Sequence, residues 1–90
     1  MAAAFEAGRE FHQSNTRVYK MLGSIYVDLH GNTIARRDPD GALYFSCAGW
    51  HTATTRSRLC ALGAPARIQN YAMIDTRTGE AFPERLTRFN

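Results

Sequence analysis

The strictest constraint on this chain is the run Ser24-Ile25-Tyr26-Val27-Asp28-Leu29-His30, which alternates apolar and polar residues without a break. A period of two is the pattern of a strand with one face buried. Ile25, Val27 and Leu29 share one face, and Tyr26, Asp28 and His30 share the other. Gly31-Asn32 follows, a dipeptide that tolerates positive φ and marks a two-residue hairpin. Thr33-Ile34-Ala35-Arg36-Arg37 then returns. A turn on Gly31-Asn32 places Leu29 opposite Ile34.

Asp38-Pro39-Asp40-Gly41 is a second turn, with Pro presetting φ and Gly taking the left-handed position. Ala42 to Ala48 is the third strand. A slip of one residue would turn its apolar set to solvent. Pairing Ile34 with Phe45 keeps Leu43, Phe45 and Cys47 on the face of Ile25, Val27 and Leu29, and is the preferred register. A three-residue loop with a Gly bulge would place Tyr44 there instead.

Helical signals flank this meander. Residues 2–12 are rich in Ala and predict a short helix that needs a surface to dock on. Beyond Gly49-Trp50-His51, a second helix is expected over 54–62. Thr54 is its candidate N-cap and Gly63 the residue just past its end. Thr55, Leu59 and Leu62 form one stripe for packing on the sheet. Ala66 to Asp75 predicts one more strand, with a bend near Asn70. The tail from Pro83 carries little apolar material to hold it. The expected fold is α+β in a single domain over 1–90. It has an antiparallel meander of three to four strands, with the N-terminal helix and the helix near 54–62 packed on one face.

Size and composition narrow the function. Ninety residues leave no room for a large enzyme core, and 44% hydrophobic with 21% charged residues is too apolar for disorder. The N-terminus lacks the charge and apolar run of a signal peptide. No stretch approaches the roughly 18 apolar residues of a membrane-spanning helix. Two cysteines, Cys47 and Cys60, are too few for a disulfide framework. Reduced thiols, no membrane partner and a cytoplasmic location are expected.

The run His30-Gly31-Asn32-x-Ile34-Ala35, followed by Gly49-Trp50-x-Thr52-x-Thr54-Thr55-x-Ser57-Arg58-Leu59-x-Ala61-Leu62, resembles small uncharacterised proteins of tailed bacteriophages. The resemblance covers residues 17–63. It implies an accessory protein made in the host cytoplasm during infection, and it carries no active site to transfer.

The basic residues are ten Arg and a single Lys, Lys20, and the formal net charge is only +3. Position matters more than the total. From Gly41 to Met73 there is no acidic residue, and that window holds Arg56, Arg58 and Arg67. At the expected start of the second helix stand Thr54, Thr55, Arg56, Ser57 and Arg58. Helix N-termini favour anions, and hydroxyls with Arg there suit a phosphate or carboxylate; a solvated Arg pair beside a Thr cap is the plainer reading. Arg36 and Arg37, adjacent on a strand, point to opposite faces. One can join the Arg56 and Arg58 surface, while the other can pair with Asp28 or Asp38. Tyr26, Tyr44 and Trp50 are candidate contact aromatics, because rings interleaved with Arg suit single-stranded nucleic acid. A covering helix or a second copy of the chain would explain the same rings.

Cys47, His51 and Cys60, even with His30, match no standard zinc spacing, so neither metal nor cofactor is expected. Nucleophile-elbow, P-loop and dinucleotide motifs are missing, and catalysis is not expected. Two function classes remain. One is binding of nucleic acid, or of a machine that processes it, through Arg36, Arg37, Thr54, Thr55, Arg56, Ser57, Arg58 and Arg67. The other is protein–protein inhibition of a host enzyme or defence complex, in the manner of an anti-CRISPR protein, with Trp50 and Tyr44 among its anchors.

Overall fold

Ala2–Ala7 forms helix α1 in the computed structural model, which describes residues 1–90. The helix ends at Gly8, whose φ of +67° lies in the left-handed region. There the Arg9 amide turns back to the Ala4 carbonyl at 2.9 Å. The helix expected over 2–12 is therefore shorter. Phe11–Gln13 instead forms a strand, β1.

β2 (Thr16–Met21), β3 (Ser24–Leu29), β4 (Asn32–Arg37) and β5 (Leu43–Phe45) continue the meander. Helix α2 (Ala53–Ala61) follows, then β6 (Ala66–Gln69), β7 (Ala72–Asp75) and β8 (Thr87–Arg88). The main sheet is antiparallel, in the order β1-β2-β3-β4-β5-β8, and β6-β7 is a separate hairpin. Six strands in the main sheet exceed the three to four expected. The region 66–75 is two strands joined at Asn70-Tyr71, not one bent strand. Asn70 and Tyr71 both take positive φ, which reverses the chain where a bend was expected.

The expected registers shift by small amounts. His30-Gly31 makes the β3–β4 turn, so Leu29 faces Asn32 rather than Ile34. The pairing then slips between Asp28–Thr33 and Val27–Ala35, leaving Ile34 as the extra residue of a β-bulge. Both Ile34 and Ala35 are buried. Phe45 consequently faces Ala35, not Ile34. The β4–β5 loop is Pro39-Asp40-Gly41, closed by Asp38 N–H to Ala42 O at 2.9 Å. Despite these slips, Ile25, Val27, Leu29 and Phe45 share the core face as expected.

That face is covered by Ala4 and Phe5 of α1, Leu59 of α2 and Leu62 at its C-cap, Met73 of β7 and Phe82. Thr55 and Leu59 of α2, with Leu62 at its C-cap, are the buried stripe that their spacing predicts. The N-cap is Thr52, two residues earlier than expected; its side chain accepts the Thr55 amide at 3.2 Å. Gly63 follows the helix as foreseen: its amide reaches Cys60 O at 3.0 Å, and Ala64 reaches Leu59 O at 2.9 Å. These two bonds make a Schellman motif. The C-terminal tail is docked. β8 pairs with β5, and the Phe89 ring packs edge-on to Phe45 at 5.3 Å. Cys47 is buried, Cys60 is exposed, and both are free thiols.

Candidate nucleic-acid interface

The opposite face of β2–β5 has no fully buried side chain. Antiparallel register lines up one residue from each strand across it. Tyr19 of β2 faces Tyr26 of β3, Tyr26 faces Arg36 of β4, Arg36 faces Tyr44 of β5, and Tyr44 faces Arg88 of β8. Residues directly opposite in a sheet have their Cβ atoms close enough to pack.

The row is organised by stacking. The Tyr19 and Tyr26 rings lie 5.2 Å apart and within 9° of parallel. The Arg36 guanidinium sits 4.0 Å from the Tyr44 ring centroid, and Arg17 sits 4.5 Å from that of Tyr19. Both distances are within cation–π range. Carboxylates hold two members of this arrangement, Tyr19 and Arg36. Asp28 accepts from the Thr33 hydroxyl at 2.8 Å and the Tyr19 hydroxyl at 3.4 Å. Burial, then the Asp28 charge, pushes the Tyr19 phenol above its ordinary value. Asp38 accepts the Ser24 hydroxyl at 2.7 Å, and its Oδ1 lies 3.0 Å from Arg36 Nε. That Nε–H is off the hydrogen-bonding angle, while Arg36 Nη2 reaches Asp38 Oδ2 at 3.3 Å. The Ser24 hydrogen bond, then Arg36, holds the Asp38 carboxyl below the usual range. Arg17 makes no ion pair. The face therefore presents flat π surfaces and guanidinium planes with little net charge.

The residues expected to form an anion surface do not come together. Arg36 and Arg37 leave opposite faces of β4, as alternation requires. Arg36 joins the stacked row, whereas Arg37 donates to the Phe5 and Glu6 carbonyls and holds the end of α1. Thr55 is buried, and its hydroxyl accepts from Thr52 at 3.1 Å. Thr54, Arg56 and Ser57 are exposed on α2. Arg58 turns instead to the β1–β2 hairpin, where its Nε donates to Thr16 Oγ1 at 3.3 Å. Arg67 lies on β6 and donates to Gln69 Oε1 at 2.9 Å. Trp50 is also separate from Tyr26 and Tyr44. It borders a groove with Leu29, Ile34 and Thr54 at the α2 side of the sheet. Tyr19 and Arg17 were missed, although the order Arg17-Val18-Tyr19 already carries the strand period. Arg88 has no local signal, since only the β5–β8 pairing brings it into line.

No group of three His, Cys, Asp or Glu side chains is placed to hold a metal ion. Cys47 is buried, which raises its thiol above the ordinary value. The family model described as Kyanoviridae Gp96 protein matches residues 1–86. The chain belongs to the Kyanoviridae Gp96 family of phage proteins. The kinship with phage proteins, expected over 17–63, thus extends through α1 and most of the C-terminal third. In this Gp96-family chain the match includes Arg17, Tyr19, Tyr26, Arg36 and Tyr44 and stops before Arg88. No curated protein and no solved structure matches the chain. No helix in it is long and apolar enough to cross a membrane.

Proposed function

We propose that this Gp96-family protein is a non-enzymatic phage accessory protein that binds single-stranded nucleic acid on the open face of its six-stranded sheet. The observation that carries this reading is the row Tyr19–Tyr26–Arg36–Tyr44, flanked by Arg17. Bases stack on aromatic rings and guanidinium planes whatever their identity, while unpaired Arg takes phosphate. Because Arg36 is already paired with Asp38, stacking supplies more of the affinity than charge does. The start of α2 has no part in this reading, because Thr55 is buried and α2, with its exposed Thr54, Arg56 and Ser57, packs on the core side of the sheet, opposite the row.

Fluorescence anisotropy with short labelled oligo-dT and oligo-rU tests it. Binding is expected, with a loss of about 1–3 kcal/mol for Tyr26→Ala and again for Tyr44→Ala. Few phosphates are contacted, so the salt dependence is expected to be shallow, of order two counterions released. No binding at low salt would end this reading.

A second reading, docking on a host protein, is favoured by Trp50, which is 53% exposed beside the groove of Leu29 and Ile34. Large exposed aromatics are common anchors of protein interfaces. A nuclease-treated pull-down whose partner is lost in Trp50→Ala but kept in Tyr26→Ala supports it. Recovery only of nucleic-acid-bridged proteins rejects it.

A further inference from the structure

We propose that the pocket beneath the β1–β2 hairpin binds a phosphate monoester carried on an organic group, with Arg58 as its anchor. This site lies on the α2 side of the sheet edge and does not rest on the reading of the outer face.

The pocket is a cavity of about 390 Å³ lined by Met1, Phe11, Gln13, Ser14, Asn15, Thr16 and Arg58. Its volume falls within the range of small-ligand sites. Arg58 is its one charged side chain, and no carboxylate lines it. Arg58 takes part in none of the salt bridges of the fold. A half-buried guanidinium without a counter-charge is a cost that an anionic ligand offsets.

Arg58 is also held in place before any ligand arrives. Thr16 is 3% exposed and donates its own hydroxyl proton to Asn15 Oδ1 at 3.0 Å. Its oxygen is therefore free to accept Arg58 Nε–H at 3.3 Å. That bond uses one of five guanidinium protons and leaves both Nη groups without a protein acceptor. Gln13 and Ser14, neighbours in the same hairpin, make no side-chain hydrogen bond within the protein, so an amide and a hydroxyl are available beside the guanidinium. A forked cation with nearby neutral donors matches the several oxygens of a phosphate. Phe11 and Met1 form the apolar wall, which suits an organic moiety better than a bare ion. A free mononucleotide and the 5′-phosphate of a nucleic-acid chain both carry this chemistry.

The test is an amide and Arg Nε NMR titration of the full chain with adenosine 5′-monophosphate, adenosine, and matched oligonucleotides with or without a 5′-phosphate. Shifts are expected at Ser14, Asn15, Thr16 and Arg58 Nε with a phosphorylated ligand and not with adenosine. Arg58→Gln is expected to weaken binding about 10- to 100-fold, as loss of a charged hydrogen-bonding group does. Arg56→Gln, exposed on the same helix, is expected to leave it unchanged. A thermal melt of each variant confirms that it is folded. Response to the mononucleotide points to a free phosphate ester, and response to the 5′-phosphorylated oligonucleotide alone points to a chain end. Tyr26→Ala is expected to keep the pocket's response, which separates this site from the outer face. Shifts spread over the exposed Arg residues, or unchanged affinity in folded Arg58→Gln, would overturn the proposal.

Discussion

His51 takes the backbone N–H of Met73 on its Nδ1 at 2.8 Å. Accepting there places the ring proton on Nε2, which lies 3.2 Å from Glu84 Oε1. One imidazole thus ties the segment after β5 to β7 on one side and to the tail on the other. The two bonds are unequal, because Met73 is fully buried while Glu84 is exposed.

That inequality sets the first expectation. His51→Leu leaves a buried amide without an acceptor and is expected to cost about 1–3 kcal/mol. Glu84→Gln keeps a side-chain oxygen for the Nε2–H and only weakens an exposed hydrogen bond, and is expected to cost under about 1 kcal/mol. Urea denaturation of both variants measures this. Equal losses would show that the Met73 bond is not the stronger tie.

Acid sensitivity follows from two carboxylates. Asp75 receives the Arg77 side chain at 2.9 and 3.2 Å and the Arg77 amide at 2.9 Å. The Arg77 side chain first, then its amide, holds the Asp75 carboxyl below its ordinary value of 3.8, with burial opposing. Asp38 is lowered in the same direction by Ser24, then Arg36. A depressed folded value means that the stabilisation is complete above the unfolded value and is lost as the pH falls through the folded one. Thermal stability is therefore expected to hold from neutral to about pH 5 and to fall below about pH 4. Asp75→Asn is expected to flatten that acid limb. An unchanged slope would remove Asp75 as its source.

The docked tail makes a third prediction. Phe82 is 1% exposed and packs against the Phe89 ring, which in turn carries Arg77 at 4.5 Å. Phe82→Ala is expected to cost about 3–5 kcal/mol in urea denaturation. A tail that only lay on the surface would cost under about 0.5 kcal/mol.

The start of α2 separates two threonines. Thr52→Ala removes the cap and is expected to cost about 1 kcal/mol. Thr54→Ala, exposed in the first turn, is expected to change stability by under about 0.5 kcal/mol. Denaturation of the pair decides which residue caps the helix.

Several parts of this fold are readable residue by residue. The buried face of β3, the stripe on α2 and the stop at Gly63 each depend on neighbours within about one or two turns of chain. The end of α1 at Gly8 was open to the same reasoning, because a left-handed glycine satisfies the last carbonyls of a helix. It was masked by the Ala-rich run before it and by Phe11 beyond it. β2 was obscured because its alternation fails at Lys20 and Met21, both exposed near the turn. For the site, strand alternation alone sets Tyr26 and Tyr44 on the outer face, whereas closeness in the chain does not bring the Thr and Arg residues of α2 to one surface. A helix separates residues two positions apart by about 200°, so Arg56 and Arg58 diverge.

The sequence by itself determined which residues of each strand are apolar, where the chain turns, and that helix and strand segments alternate into an α+β domain. Only the tertiary structure decided which residues meet. The bulge at Ile34 adds one residue to β4, so Arg36 rather than Ala35 stands opposite Tyr26. Without it, every β4 side chain beyond that point would exchange faces. Periodicity and turn preference are local properties of the backbone, whereas register across five strands is fixed by the packing of the whole core. The row of Tyr19, Tyr26, Arg36 and Tyr44 exists only once that register is set.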